Sequence, residues 1–261
     1  MTGNSFARHA ADACCLCGSR ENLSGEHKIK ASLLRSEFGK STMAIGKFGG
    51  MPRRMRYAQS PKSKAMHFSS RLCEPCNTAR TQPADREFER LHVAARNLLD
   101  AGLDPAKAMD TGRYAIGSDP YLSVFRYFAK LLCCHIADAG GPRFLDLSRF
   151  ALGEIDRNIV SLAINQDRTY QDISQHIDQP QYAAHGGLVV YGHRKTGRPR
   201  GFHSTLTIGP LQYVFFVRLN WIGRVNFWLY KREFYDWCRE LAKDSEANPL
   251  SQEERQRLGF D

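Results

Sequence analysis

Two C-x-x-C pairs, Cys14/Cys17 and Cys73/Cys76, stand 55 residues apart in a chain of 261, and no other feature restricts its fold as much. Each pair is followed by short polar residues, Gly18-Ser19 and Asn77-Thr78, that suit a knuckle turn. Zinc takes four thiolates tetrahedrally, and two cysteines three apart at a tight turn present both sulfurs to one ion. Closing a 55-residue loop costs roughly 3.6 kcal/mol, against the ~10–16 kcal/mol that structural zinc contributes in finger peptides. The spacing is therefore compatible with a single Zn²⁺ site. Cys15 could stand in for Cys14, although a C-x-C bite is the less usual arrangement. Cys133, Cys134 and Cys238 lie in apolar helical stretches, where cysteine is ordinarily a small core residue. The rival framework of disulfides needs an oxidising compartment. The N-terminus MTGNSFARHAADACC has no apolar core of the signal-peptide kind, and no apolar run nears the length of a membrane span, so the chain is expected in the cytoplasm with no membrane partner.

Charge is distributed unevenly. Of the net +10, residues 1–100 carry 17 basic and 9 acidic side chains, and residues 28–71 alone carry eleven basic residues opposed only by Glu37. A field of that sign attracts a polyanion, and nucleic acid is the commonest such partner. Arg53, Arg54 and Arg56 lie in this stretch, and Arg80 follows the second knuckle. With 42% hydrophobic and 25% charged residues, the composition excludes a wholly disordered or fibrous chain.

Between the knuckles come Glu26-His27, and directly after the second comes Asn77. The segments C-C-L-C-G-S-R-E-N-L-S-G-E-H at 14–27 and L-C-E-P-C-N-T-A-R-T-Q-P-A-D-R-E-F at 72–88 together resemble the HNH endonucleases with a four-cysteine zinc site, over about residues 14–90. The resemblance implies a ββα-metal fold, in which a hairpin and a helix surround a divalent ion and the structural zinc pins one to the other. It makes His27 the general base, and it assigns Glu26 and Asn77 to a catalytic Mg²⁺ or Mn²⁺, for which hard oxygen donors are suited. A neutral imidazole can take a proton from water at neutral pH. DNA is expected ahead of RNA as partner. The chain departs from the family in two places: no proline follows in His27-Lys28-Ile29-Lys30, and no asparagine stands on the hairpin shortly before the second knuckle, where His67 or Ser69 is available instead. These departures leave open a second reading, a zinc-containing nucleic-acid-binding protein whose HNH site is degenerate.

The fold class expected is α+β: a ββα-metal zinc module at 10–100 and an α+β domain of unassigned role at 101–261. Leu33, Leu34 and Phe38 fall at helical spacing, and a mobile basic loop is expected from Gly39 to about Lys64. A helix is expected over 84–99, and Asp119-Pro120 opens a largely buried one through about Ala139, with helical structure continuing to about 167. From Gly187 the period becomes two, which predicts an antiparallel meander at about 187–230 with strands at Leu188–Val190, Thr205–Ile208, Leu211–Leu219 and Val225–Tyr230. A last helix at about 231–244 would cover its Leu211/Tyr213/Phe215/Val217 face. The turn at 192–201, with Arg194, Lys195, Arg198 and Arg200, reads as a solvated hairpin tip or a second phosphate contact.

Overall fold

The computed structural model describes residues 5–39, 43–47, 56–58, 66–167, 170, 182–193 and 195–243, with backbone alone at 43–47 and 56–58. Arg53 and Arg54, the side chain of Arg56, Arg194 and the tail after Ser245 lie outside these residues. The fold is α+β. Among the described residues no helix is long and apolar enough to cross a membrane.

Eleven strands are described: β1 (Phe6–Ala7), β2 (Leu23–His27), β3 (Met43–Lys47), β4 (Arg56–Ala58), β5 (His67–Cys73), β6 (Arg143–Phe144), β7 (Val160–Gln166), β8 (Tyr182–His185), β9 (Val189–Gly192), β10 (Pro199–Ile208) and β11 (Leu211–Arg218). The helices are α1 (Ala31–Phe38), α2 (Glu74–Asn77), α3 (Gln82–Asp100), α4 (Asp119–Asp138), α5 (Leu145–Ala151), α6 (Trp221–Tyr230) and α7 (Arg232–Lys243). β2 pairs with β5 and β1 with β6, both antiparallel. The large sheet runs β4-β3-β8-β10-β11-β7, with β9 beside β10.

α4 is the centre of the molecule. Ser118 caps it by accepting from the Tyr121 N–H, and Pro120 sits in its first turn, where a missing N–H costs nothing. Phe88 of α3 stacks on Tyr127 (4.1 Å between centroids), and Phe128 meets Phe215 (4.9 Å) on the sheet. One continuous core extends from Phe6 to Cys238, and the pairings β1–β6 and β3–β8 cross residue 100.

Four expectations are corrected. Helical structure does not continue to 167, because Val160–Gln166 forms β7 against β11. Val225–Tyr230 is helical, within α6: Asn220 caps it at the Gly223 N–H, and Gly223 and Phe227, four apart, are its buried positions. The Gly39–Lys64 loop contains β3 and β4, and β3 joins the large sheet by a parallel pairing with β8. The last helix does not cover the whole Leu211–Val217 face. Tyr213 and Phe215 lie under α3 and α4, while Phe202, the register partner of Val217, meets Phe227 and Phe234.

Two buried histidines give the fold a pH dependence. Burial holds His135 down to about 3 and His203 to about 4. Both are neutral when folded, so the stability they carry is present above the unfolded value near 6.5 and lost as pH falls. Two such protons give a slope of about 3 kcal/mol per pH unit between about pH 6 and 5, which eases as His203 begins to protonate in the folded state. Urea unfolding at stepped pH should show it. His135→Gln, which can keep the hydrogen bond to Ser204 Oγ (3.1 Å), should remove about half of it; an unchanged slope would refute the assignment.

Candidate metal centre and adjoining hairpin site

The two knuckles meet. The sulfurs of Cys14, Cys17, Cys73 and Cys76 all lie within 4.8 Å of one another, and Cys17 Sγ and Cys73 Sγ are 3.5 Å apart. A tetrahedral ion with bonds of about 2.3 Å needs sulfur edges of about 3.8 Å, so the four residues fit a metal ion such as zinc. Backbone N–H groups of Cys17 and Ser19 point at Cys14 Sγ (3.5 Å) and Cys17 Sγ (3.4 Å). The hydrogen bond from Cys76, aided by the backbone amides of Cys17, Cys73 and Leu16, outweighs burial and holds Cys14 well below the usual thiol range. Cys14 is the ligand of the adjacent pair. Cys15 turns the other way, its sulfur 3.7 Å from that of Cys134 on α4, and it is buried.

The cluster clamps the β2–β5 pair to α2. Gly25 pairs with Arg71 but His27 pairs with His67, so β5 carries two more residues than β2 between these pairs. The amides that such a bulge frees must find partners elsewhere. Asp138, at the end of α4, supplies them: it accepts from the N–H of Ser70 (2.6 Å) and of Ser69 (3.3 Å) and from Ser69 Oγ (3.0 Å). Ser69 is thereby committed to structure, and His67 is brought onto His27, with ring centroids 3.9 Å apart.

Asn77 donates through Nδ2 to Ser24 Oγ (2.9 Å) and to the Gly25 carbonyl (3.2 Å), which ties α2 to the strand bearing Glu26 and His27. His27 is half-buried. Burial, then the nearby His67, Arg35 and Lys130, lowers its pKa below the ordinary imidazole value, so it is neutral at pH 7. Arg35 is exposed on α1.

Beneath the hairpin lies a group that sequence patterns do not assign. Lys130 of α4 is 1% exposed and bridges Glu26 (2.8 Å) and Asp85 (2.6 Å), with its ammonium 5.4 Å from the Tyr127 ring centre. Burial opposes its charge, yet the two carboxylates outweigh burial and hold it protonated above the ordinary lysine range. Burial also pushes the Glu26 carboxyl up, against the pull of Lys130. The pattern of α4 puts Lys130 with Arg126 on its polar strip, and only the docking of the helix against the hairpin and α3 buries it.

Oxygen donors for a second, harder ion remain. Glu26 Oε1 faces Lys130 and Asn77 Nδ2 faces the hairpin, which leaves Glu26 Oε2 and Asn77 Oδ1 without partners among the described residues. Among the described residues, the four cysteines are the only group of three or more His, Cys, Asp or Glu side chains to converge on one point. Arg80 is paired with Glu154 (2.6 Å), and its other guanidinium nitrogen lies 4.0 Å from Cys76 Sγ. No family model, curated protein or solved structure matches the chain.

Proposed function

We propose that the chain is a zinc-pinned endonuclease of HNH type that hydrolyses phosphodiester bonds in nucleic acid, DNA first, with the zinc held by Cys14, Cys17, Cys73 and Cys76. The observation that supports this reading is that the hydrogen bond from Asn77 to the Gly25 carbonyl ties α2 to the strand bearing Glu26 and His27, next to the four converging sulfurs. The basic surface draws the strand in, and exposed Arg35 beside His27 is suited to hold a phosphate. His27 takes a proton from the attacking water at a ring nitrogen and becomes imidazolium. The new P–O bond forms as the P–O3′ bond breaks, and the 3′ oxygen is then protonated from solvent. Mg²⁺ or Mn²⁺ held by Glu26 and Asn77 would supply neutralisation of the charge that develops on the leaving oxygen. His67 stacks on His27 and sets its tilt, and Lys130 orients Glu26 from beneath, as partners behind a ligating carboxylate commonly do.

Plasmid nicking tests the reading. The parent protein should nick with Mg²⁺ or Mn²⁺, and His27→Ala should lower the rate by about 10²–10⁴. Because the pKa of His27 is lowered, the rate should rise with pH along a limb below about 6.5 and be flat by pH 7. Equal nicking by His27→Ala would overturn the proposal. The ion pair between Lys130 and Glu26 favours a second reading, a non-catalytic nucleic-acid-binding protein in which the ammonium stands in place of the divalent ion. Such a protein would bind DNA with no second divalent site and with no response to Glu26→Gln. Under either reading, neutralising about five phosphates gives a log–log salt slope near −4.5, and a flat salt titration would remove both.

A further inference from the structure

A cleft of about 570 Å³ opens between His193, the 195–200 turn, β10 and α6. Arg198, Arg200 and Arg224 line it together with Trp221, Trp228 and Tyr235, and no acidic residue among the described residues does. None of the three guanidinium groups has a carboxylate partner among the described residues, whereas Arg232 close by is tied to Asp236 (3.0 Å). Trp221 is 67% exposed and Trp228 44%. No ring of the described residues stacks on Trp221.

The Arg232 guanidinium lies over one face of Trp228 (5.3 Å to the ring centre), so the uncompensated arginines, the bare indole of Trp221 and the other face of Trp228 are together relieved by a ligand that is polyanionic and presents flat ring faces. A phosphate alone leaves the indoles unused, and a neutral aromatic leaves the arginines unused. A duplex hides its base faces in the stack, while an unpaired strand offers them. A membrane surface fits poorly, because the arginines line a concavity rather than the rim of a projecting apolar face. We propose that this cleft binds unpaired nucleotides, with bases stacked on Trp221 and Trp228 and phosphates held by Arg198, Arg200 and Arg224. This deepens the reading above by naming the form of the nucleic acid, and it rests on the nucleic-acid half of that reading, not on hydrolysis.

The test uses the full chain in a His27→Ala background, so that the probe stays intact, without added divalent ion. A 15-nucleotide oligothymidylate should quench tryptophan fluorescence and bind at least about tenfold more tightly than a 15-base-pair duplex. Trp221→Ala should weaken the oligothymidylate by about 5- to 100-fold, Trp221→Phe should bind near the parent level, and Arg224→Ala should lower the salt slope by about one. Melting temperatures verify the fold, which a side chain as exposed as Trp221 should leave unchanged. Equal affinity for duplex and strand, undiminished binding by Trp221→Ala, or quenching by phosphatidylserine vesicles but not by oligothymidylate would overturn the proposal. A strand bound as described but never cut by the parent protein would sink the hydrolase reading and leave the cleft standing.

Discussion

Changing Cys73 to serine, or withdrawing the thiolate-held ion with a chelator, is expected to release the β2–β5 pair while the α3–α4 core stays folded. The ion, zinc in our proposal, is the one covalent-strength link between residues 14–17 and 73–76. Its ~10–16 kcal/mol in finger peptides matches or exceeds the whole stability of an ordinary domain, about 5–15 kcal/mol. The aromatic packing of Phe88, Tyr127, Phe128 and Tyr213 does not touch the sulfurs and has its own reason to persist. Metal analysis should fall from about one zinc per chain to a small fraction of that. Amide hydrogen exchange should lose protection over Leu23–His27 and His67–Cys73 and keep it over Leu122–Ile136. Full metal content and an unchanged exchange pattern in Cys73→Ser would contradict the ligand assignment.

Lys130→Met is expected to destabilise the protein by about 3–5 kcal/mol at pH 7, because Glu26 and Asp85 would remain as charges without their buried counter-ion. The pH dependence distinguishes this from a packing defect. Without the ammonium, nothing would oppose the burial that already raises the Glu26 carboxyl, so its folded pKa would rise further above the unfolded one. For an acid so shifted, stability is greater at low pH and lost as pH rises, so the penalty should be full at pH 7 and shrink towards pH 4. In the parent protein Lys130 works the other way round: its raised value means that its contribution is intact below the unfolded lysine value and lost only in strong base. Adding Glu26→Gln and Asp85→Asn to Lys130→Met should restore much of the loss, and the cycle of single and combined variants measures the coupling. A Lys130→Met protein as stable as the parent at pH 7 would show that the ion pair carries no net stabilisation.

Elements whose cause is local were legible in the sequence. The helices expected at 84–99 and 119–139 are α3 and α4, because capping residues, proline placement and a 3.6-residue period are written within the segment itself. The knuckle spacing likewise brings four sulfurs together. What failed was whatever depends on a distant partner. β3 belongs to the sheet through β8, a strand more than 130 residues away. α6 misled for another reason: Trp221, Val225, Trp228, Leu229 and Tyr230 are apolar yet exposed, so the apolar run mimics a strand while the true buried spacing is only Gly223 and Phe227. At the hairpin, Glu26, His27 and Asn77 could be singled out from the motif. The cation that meets Glu26 could not, because the phase of α4 and its docking against β5 decide where the Lys130 ammonium ends.

The pairing of β1 with β6 and of β3 with β8 also sets the order in which the molecule can be built. Cys76 leaves the ribosome 109 residues before His185, an interval of about 5–20 s at ordinary elongation rates. During that time the sulfur cluster can close, but Phe6 has no Phe144 to pair with for the first 68 residues, and one edge of Met43–Lys47 has no neighbour throughout. A nascent or truncated chain ending before Tyr182 would therefore expose an unsatisfied strand edge, the form of this protein most prone to associate with its own kind.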